Sequence, residues 1–303
     1  MAWLLRKCIY HAFYTPMKKI TCLLSFFICL HSFLSFGQVP TENALLWEIS
    51  GKGLQKSSYL YGTIHVICPD ELNISTTTKT IFNKTEQLYL ELDLDNPELF
   101  AEMQRSMASN THLKNLLKAN DYEQLASFFK DRTGYSIDML GMIKPFYLLS
   151  YTYSPMIGCS QPVSVEKSFL EMANKQNKSI FGLETLKDQL SVFEKIPQRK
   201  QADMLLEYIK DFEKTQESFQ AMLKDYKEEN LNALVKSSAN TYSNRYEHLL
   251  LDKRNKNWVK KIPKMSSQKS TFFAVGAAHL AGEKGIINLL RKNGYTVRAV
   301  VNE

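Results

Sequence analysis

The sequence predicts an α/β fold in which a central mixed β-sheet is built from the N- and C-terminal segments and a helical cap is inserted between them. Short runs of β-favouring apolar residues stand near both ends of the chain. The middle of the chain carries apolar residues at spacings of three and four, which indicates helices. The C-terminal segment reads as strand, turn, helix and strand, a unit that forms parallel sheets.

The N-terminal part of the predicted fold is rich in strands. Residues 45–49 and 58–61 predict two strands, with Gly51-Lys52-Gly53 as a turn signal between them. A helix at 76–84 and a strand at 87–92 follow. The middle then predicts helices at 97–107, 113–119, 122–132, 144–153 and 164–174, a strand at 178–183, and helices at 197–224 and 242–262.

The C-terminal unit is the clearest of the predicted elements. Residues 271–275 predict a strand and 280–292 an amphipathic helix, which Asn293-Gly294 should end. Residues 295–301 predict the last strand. We expect the two strands to be parallel neighbours joined by a right-handed crossover.

The first 37 residues are predicted to be a signal peptide. Lys18 and Lys19 precede an apolar stretch at 20–36, and small residues at Ser35 and Gly37 predict cleavage before Gln38. Met17 is a candidate for the true start, and a membrane anchor is the alternative interpretation. Residues 38–303 contain no linker and are predicted to form one domain, exported to the periplasm, the cell envelope or the medium, with membrane contact only through an uncleaved signal segment.

The charge of the mature chain gives no reason to expect nucleic-acid binding. The whole sequence has a net charge of +7, but residues 1–37 hold four basic residues and no acidic one. The remainder has 34 basic and 31 acidic residues. Such a balanced surface is not typical of nucleic-acid-binding proteins.

Two cysteines remain after signal removal, Cys68 and Cys159. In an oxidising compartment such a pair can form a disulfide, and both residues precede turns that contain proline. The sequence favours the disulfide, with two buried free thiols as the alternative.

Two histidines share one sequence setting. Gly62 and His65 follow an apolar strand, and Gly276 and His279 follow another, each pair as Gly-x-x-His. Ligands of open α/β sheets bind beyond the carboxyl ends of the strands, and glycine lets the backbone approach them closely. The recurrence favours a shared site over two hydrogen-bonded structural histidines. His112 is expected to cap a helix or face solvent, and His248 to lie on the surface of a predicted helix.

Two acidic residues also end apolar strands, Glu91 and Glu184. A carboxylate there is costly to desolvate unless it is paired or binds a cation. Two imidazoles and one or two carboxylates suit a divalent metal such as Mn²⁺, Co²⁺ or Zn²⁺, which could activate water for hydrolysis. Asp93, close by, is expected to cap the following turn or to face solvent.

Several motifs together resemble the TraB/GumN family over roughly residues 44–301. The motifs, in chain order, are Leu46-Trp47-Glu48-Ile49, Tyr59-Leu60-Tyr61-Gly62-Thr63-Ile64-His65, Leu88-Tyr89-Leu90-Glu91-Leu92-Asp93, Gly182-Leu183-Glu184-Thr185 with Gln189, and Ala274-Val275-Gly276-Ala277-Ala278-His279-Leu280. Each is short, but their order and spacing make the resemblance specific.

The resemblance implies a metal-dependent hydrolase. The family is similar to Tiki-type metalloproteases, and distantly to erythromycin esterases and a haem-binding lipoprotein group. Carried over, His65 and His279 would be active-site histidines, Glu91 their acidic partner, and Arg254, in an Arg-Asn motif, a residue that orients substrate. The chain departs from the family's Glu-Arg-Asn pattern at Lys253, and Asp252 beside it is the acid that would compensate.

The sequence therefore predicts an exported metallohydrolase that cleaves an amide bond of a peptide or another small substrate. The predicted metal ligands are His65, His279, Glu91 and Glu184, and Glu91 is also the candidate general base. The alternative is a protein that binds or sequesters a peptide or haem without turnover. A protein whose site has decayed is a third interpretation, to which Lys253 points.

Overall fold

The computed structural model describes residues 42–241 and 248–301. Its strands are β1 (Leu46–Ser50), β2 (Ser58–Thr63), β3 (Gln87–Leu90), β4 (Ser179–Gly182), β5 (Thr271–Gly276) and β6 (Thr296–Ala299). The six strands form one sheet in the order β4-β3-β5-β2-β1-β6. The first four strands in that order are parallel, whereas β1 is antiparallel to both of its neighbours. The sheet is therefore mixed, as predicted.

Helices occupy most of the chain between the strands. They are α1 (Thr76–Lys84), α2 (Pro97–Met107), α3 (Ala119–Thr133), α4 (Ile137–Leu140), α5 (Pro145–Leu148), α6 (Tyr153–Ile157), α7 (Val165–Lys175), α8 (Leu186–Phe193), α9 (Gln198–Lys210), α10 (Phe212–Lys227), α11 (Leu231–Thr241), α12 (Lys253–Met265) and α13 (Ile286–Lys292). Within 42–241 and 248–301, no helix combines the length and the apolar composition needed to cross a membrane.

Both faces of the sheet are covered by apolar side chains, as consecutive residues of β5 show. Phe272 points to a face where its ring contacts those of Phe82 in α1 and Phe169 in α7, with centroids 5.1 and 4.9 Å apart. Phe273 points to the opposite face and packs on Tyr89. Successive strand residues alternate in this way by geometry, so a strand apolar on both faces belongs in the centre of a sheet. The predicted α/β class is confirmed.

A second apolar core lies in the helical cap, which comes from the chain between β3 and β4 and after β4. Its buried residues are Leu113, Leu117, Leu125, Phe129, Ile137, Leu140, Leu148, Ala202, Leu205, Leu206 and Ile209. They belong mainly to α3 and α9, whose apolar faces explain the helical periodicity of the sequence.

One topological prediction is wrong, because β5 and β6 are not neighbours. β2 and β1 lie between them, and β6 pairs with β1 in antiparallel register. The local strand-helix-strand pattern does not specify which strands fill the intervening positions. Here β2 pairs parallel to β5, and β1 pairs with the other side of β2. The free side of β1 is then where β6 pairs.

Some predicted helices are shorter or interrupted. The helix predicted at 280–292 begins at Ile286, because Gly282 has a positive φ of 87° and breaks the preceding turn. The helix predicted at 197–224 is divided at Asp211 into α9 and α10. The predicted signal segment and residues 242–247 lie outside the described residues.

The predicted disulfide between Cys68 and Cys159 is present, with Cα atoms 6.0 Å apart. Beside it, Ile67 and Val163 form an antiparallel bridge with hydrogen bonds of 2.9 Å in both directions. These contacts join the segment after β2 to the segment that enters α7. We call this pair of contacts the clamp.

Removing the disulfide should destabilise the protein. A double Cys68→Ala, Cys159→Ala variant frees a loop of 91 residues, and we expect it to lose about 2–4 kcal/mol of unfolding free energy. Urea unfolding followed by circular dichroism measures this, with the reduced wild type as the matched comparison. Equal midpoints for the oxidised wild type and the variant would contradict a stabilising disulfide.

Candidate functional site

The four residues predicted as metal ligands follow the four parallel strands. Glu184, Glu91, His279 and His65 come after β4, β3, β5 and β2, which is also the spatial order of those strands. Parallel strands end at one edge of the sheet, so the topology brings all four residues to that edge. The structure thus places them on one side of the sheet, in one row.

The two motif glycines explain how the histidine motifs meet. A Cβ atom on Gly62 would lie 3.1 Å from Ala277 and from Leu280, so glycine lets the two motifs pack closely. A Cβ atom on Gly276 would lie 3.3 Å from Glu91 Oε1 and 4.0 Å from His65 Nε2, and His279 Cδ2 would be 3.7 Å away. We call this region, bordered by three of the predicted ligands, the Gly276 space.

Arg254, in the first turn of α12, connects the members of the row. Its Nη2 donates to Glu91 Oε2 at 2.5 Å and to Glu184 Oε1 at 2.7 Å, and its Nε donates to Glu184 at 2.9 Å. Its Nη1 donates to the carbonyl of Leu250 and to His279 Nε2, both at 3.1 Å. The five contacts match the five N–H donors of a guanidinium. Arg254 therefore organises the cluster, and in this arrangement it has no N–H left for a substrate.

Glu91 is buried and ionised. Besides Arg254, it accepts the backbone N–H of Gly276 at 2.8 Å and the side-chain amide of Gln189 at 3.4 Å. Burial raises the pKa of Glu91, but the contacts with His279, Arg254 and Gly276 lower it by more, to about 2. The negative charge of Glu91 is thus stabilised by hydrogen-bond donors whose positions are fixed by the fold.

Glu184 is turned away from the Gly276 space. One of its oxygens accepts from Arg254, and the other accepts the indole N–H of Trp258 at 3.2 Å. Burial raises the pKa of Glu184, and Arg254 opposes that shift. Glu184 therefore acts here as a partner of Arg254 rather than as a free ligand.

His279 is a neutral imidazole with a defined tautomer. Arg254 can only donate, so His279 Nε2 accepts and the ring proton lies on Nδ1, 2.6 Å from Asn255 Oδ1. The Asn255 amide donates to the carbonyl of Lys284 at 3.0 Å, which fixes its orientation. Burial lowers the pKa of His279 to about 3, and Arg254 adds to the effect. Trp258 packs against the ring with centroids 4.5 Å apart.

His65 is the exposed member of the row, with 69% of its side chain accessible. Its Nδ1 lies 2.7 Å from Oε1 of Glu166, a buried residue in the first turn of α7. Loss of hydration lowers the pKa of His65, but the hydrogen bond and charge of Glu166 raise it by more, to about 9. His65 is therefore protonated at neutral pH.

The residues as placed do not fit a divalent metal. His65, Glu91 and His279 have the right donor chemistry and border one space, but Arg254 occupies His279 Nε2 and one oxygen of Glu91. Across residues 42–241 and 248–301, no group of three His, Cys, Asp or Glu side chains is arranged to hold a metal ion.

The remaining sequence predictions concern residues around the row. Asp93 accepts the backbone N–H of Asp95 at 3.3 Å, and His112 caps the short helix that starts at Leu113, as expected for both residues. The side chain of His248 lies outside the described part. Asp252, next to the family's acid position at Lys253, forms an ion pair with Lys284 at 2.6 Å.

Sequence reasoning missed Glu166 and gave no role to Asn255. Acidic residues are common in the first turn of a helix because the helix dipole stabilises their negative charge. The sequence therefore gave no sign that Glu166 has any role beyond its helix. Asn255 stood in the Arg-Asn motif, but only its position one residue after Arg254 hinted that it reaches the same site.

The buried neutral state of His279 predicts a pH-dependent stability. Its folded pKa of about 3 lies below the ordinary value of 6.5, so the unfolded chain takes up the proton first. The contribution of neutral His279 to stability should be complete above pH 6.5 and fall by about 1 kcal/mol per pH unit as the pH drops toward 3. Urea unfolding between pH 6.5 and 4.5 would measure the slope, which should be smaller in His279→Gln. Equal slopes in both proteins would refute this assignment.

Arg254 should be essential for stability. Arg254→Met leaves the buried carboxylates of Glu91 and Glu184 without their cation, and we expect a loss of about 3–5 kcal/mol of unfolding free energy. Arg254→Lys keeps the charge but not the five donors, so it should be intermediate. Denaturant unfolding of the three proteins measures this ranking. A methionine variant as stable as the lysine variant would show that the charge is not what matters.

Comparisons with known proteins agree with the motifs of the site. The sequence profile of the TraB/PrgY/gumN family matches residues 45–299. An uncharacterised protein of Treponema pallidum is 24% identical, over 90% of this chain and 89% of its own length. Metalloprotease TIKI2 of Xenopus tropicalis is 22% identical over 84% of this chain, and only 59% of its length is covered. Uncharacterised protein YbaP of Shigella flexneri is 24% identical over 78% of this chain and 88% of its own length.

No solved structure matches the chain at a significant level. The profile nonetheless spans both histidine motifs, both strand-end acids and Arg254. The chain belongs to the TraB/PrgY/gumN family.

Proposed function

We propose that this protein is a hydrolase that cleaves an amide bond in a peptide or another small substrate at the Gly276 space. The observation that carries the proposal is the convergence of His65, Glu91 and His279 on this space at the end of parallel strands. The similarity to TIKI2, which is named a metalloprotease, supports hydrolysis as the reaction type.

The clustered residues differ in solvent exposure, and this difference indicates different roles. Glu91, Arg254 and His279 have little solvent exposure and hydrogen-bond to one another and to fixed neighbours, so they form one preorganised cluster. His65 is exposed, protonated, and has Nε2 directed to the Gly276 space. In this scheme a water molecule adds to the amide carbonyl carbon and forms the new C–O bond. As the C–N bond breaks, the protonated imidazole gives its proton to the leaving amine, and the proton lost by the water restores the imidazolium. We therefore assign proton transfer to His65, and we assign to Arg254 the positioning of Glu91 and His279.

The similarity to TIKI2, which is named a metalloprotease, supports the sequence prediction of a divalent metal. The position of Arg254 speaks against it, because its guanidinium occupies His279 Nε2 and one oxygen of Glu91. For a metal to bind, the guanidinium would have to leave His279 and Glu91. We therefore expect the native protein to hold much less than one equivalent of Mn²⁺, Co²⁺ or Zn²⁺ by elemental analysis. Arg254→Met should bind more of the same ions, because it exposes carboxylates that have lost their cation.

The proposed setting is outside the cytoplasm. The disulfide supports export, since structural disulfides persist in oxidising compartments. N-terminal sequencing of the mature protein would test the predicted cleavage before Gln38. It would also show whether the apolar segment at 20–36 stays attached as an anchor.

Substitution of His65 should abolish turnover. We expect His65→Ala to lower the rate at least about 100-fold, because it removes the proton-transfer group. The assay incubates the purified protein with a mixed-sequence peptide library, read by mass spectrometry, and with p-nitrophenyl acetate. Each reaction is run with EDTA and with added Mn²⁺, Co²⁺ or Zn²⁺.

The matched control is His112→Ala, which changes a histidine outside the row. Gly276→Ala is a second test, since its methyl group would fill the Gly276 space, 3.3 Å from Glu91 Oε1 and 4.0 Å from His65 Nε2. Wild-type rates in His65→Ala would refute the proposal. If the wild type turns over nothing under any condition but binds library peptides, sequestration of a peptide replaces hydrolysis as the function.

A further inference from the structure

Glu166 is a buried carboxylate with an unusual set of partners. Its side chain is only 7% exposed, and Oε1 receives both the Thr63 hydroxyl at 2.6 Å and His65 Nδ1 at 2.7 Å. Its other oxygen, Oε2, is buried and has no hydrogen-bond partner among the described residues. Leaving a buried carboxylate oxygen unpaired is costly, so stability alone does not account for an acid at this position.

The backbone around this contact is held on both sides. The backbone N–H of Val165 donates to the carbonyl of Ile64 at 3.2 Å, one residue away from each of the paired side chains. Ser164 caps α7 by accepting the N–H of Lys167, which fixes the first turn that carries Glu166. The clamp then joins the two segments a few residues further along. The contact between His65 and Glu166 is therefore built into the fold rather than made by two mobile surface side chains.

The orientation of His65 depends on this contact. An imidazole that is 69% exposed has little packing to hold its ring, and Glu166 makes the close side-chain contact to its Nδ1. Because a carboxylate accepts only, the Nδ1 proton is donated to Glu166. The opposite nitrogen, Nε2, is then the one that faces the Gly276 space.

We propose that Glu166 is the positioning residue of His65, holding Nδ1–H so that Nε2 is presented to the substrate in the Gly276 space. The inference rests on the proposed hydrolase function and adds a residue to its machinery. Glu166 touches no reacting atom in this scheme. It acts through the ring of His65, as carboxylates behind functional imidazoles do in other proteins.

The first test needs no substrate. Nitrogen-15 NMR of the purified protein with labelled histidine reports the protonation of each ring nitrogen, and His65→Ala assigns the His65 signals. We expect a slowly exchanging Nδ1–H in the wild type and in Glu166→Gln, whose amide oxygen can still accept it. In Glu166→Ala the signal should broaden or vanish. A Glu166→Ala spectrum with the wild-type Nδ1–H signal would overturn the proposal.

The second test separates a positioning role from a structural one. On a substrate found for the wild type, Glu166→Ala should lower kcat about 10- to 100-fold with KM unchanged, and Glu166→Gln should recover part of the loss. Glu71→Ala, which removes a surface carboxylate paired with Lys227, is the matched control and should behave as wild type. Unchanged kcat in Glu166→Ala would also refute the proposal.

The two tests distinguish the failure of this inference from the failure of the proposed function. If no substrate is turned over by the wild type, the NMR result alone decides whether Glu166 holds His65. If Glu166→Ala does not fold, as judged by circular dichroism, Glu166→Gln and Glu166→Asp replace it. Asp is too short to reach Nδ1 from the same backbone position, so it should lose the signal that Gln keeps.

Discussion

The guanidinium of Arg254 is the contact on which the rest of the site depends. Two carboxylates and an imidazole have been removed from water within one small region, and each would be costly to bury alone. Arg254 satisfies all three by using every donor that it has. The same contacts set the proton positions, because a neighbour that only donates forces His279 to accept. One side chain from α12 thereby determines charge state and tautomer across three strand ends.

The cluster combines two buried groups of fixed charge, Glu91 and His279, with one exposed imidazole, that of His65, which carries an exchangeable proton. Glu91 is ionised and His279 is neutral at neutral pH, and neither has a reason to change during a reaction near that pH. His65 faces solvent and is paired with a carboxylate from the opposite side, that of Glu166. Preorganised charge beside an exposed acid–base group is the feature on which the proposed hydrolysis depends.

The sequence was sufficient to predict the fold class and the row of strand-end residues, for physical reasons. A strand that is apolar on both faces must lie inside a sheet, and parallel strands bring their carboxyl ends together, so His65, Glu91, Glu184 and His279 could be expected at one edge. The position of β6 could not be predicted, because β-strand pairing is decided by partners far away in the chain. Side-chain partners were equally inaccessible. Nothing local to Glu184 shows that its oxygens face Arg254 and Trp258, and nothing local to Glu166 shows that it reaches back to His65.

The clamp has a consequence for the order in which the protein is made. Cys68 follows His65 closely, but Cys159 is synthesised 91 residues later, after the first half of the cap. The histidine motif after β2 therefore reaches its final place only once that half of the cap has emerged and α7 can dock. During synthesis, the imidazole of His65 and the carboxylate of Glu166 remain on segments that are not yet joined. The contact between His65 and Glu166 thus forms only after both segments have been made.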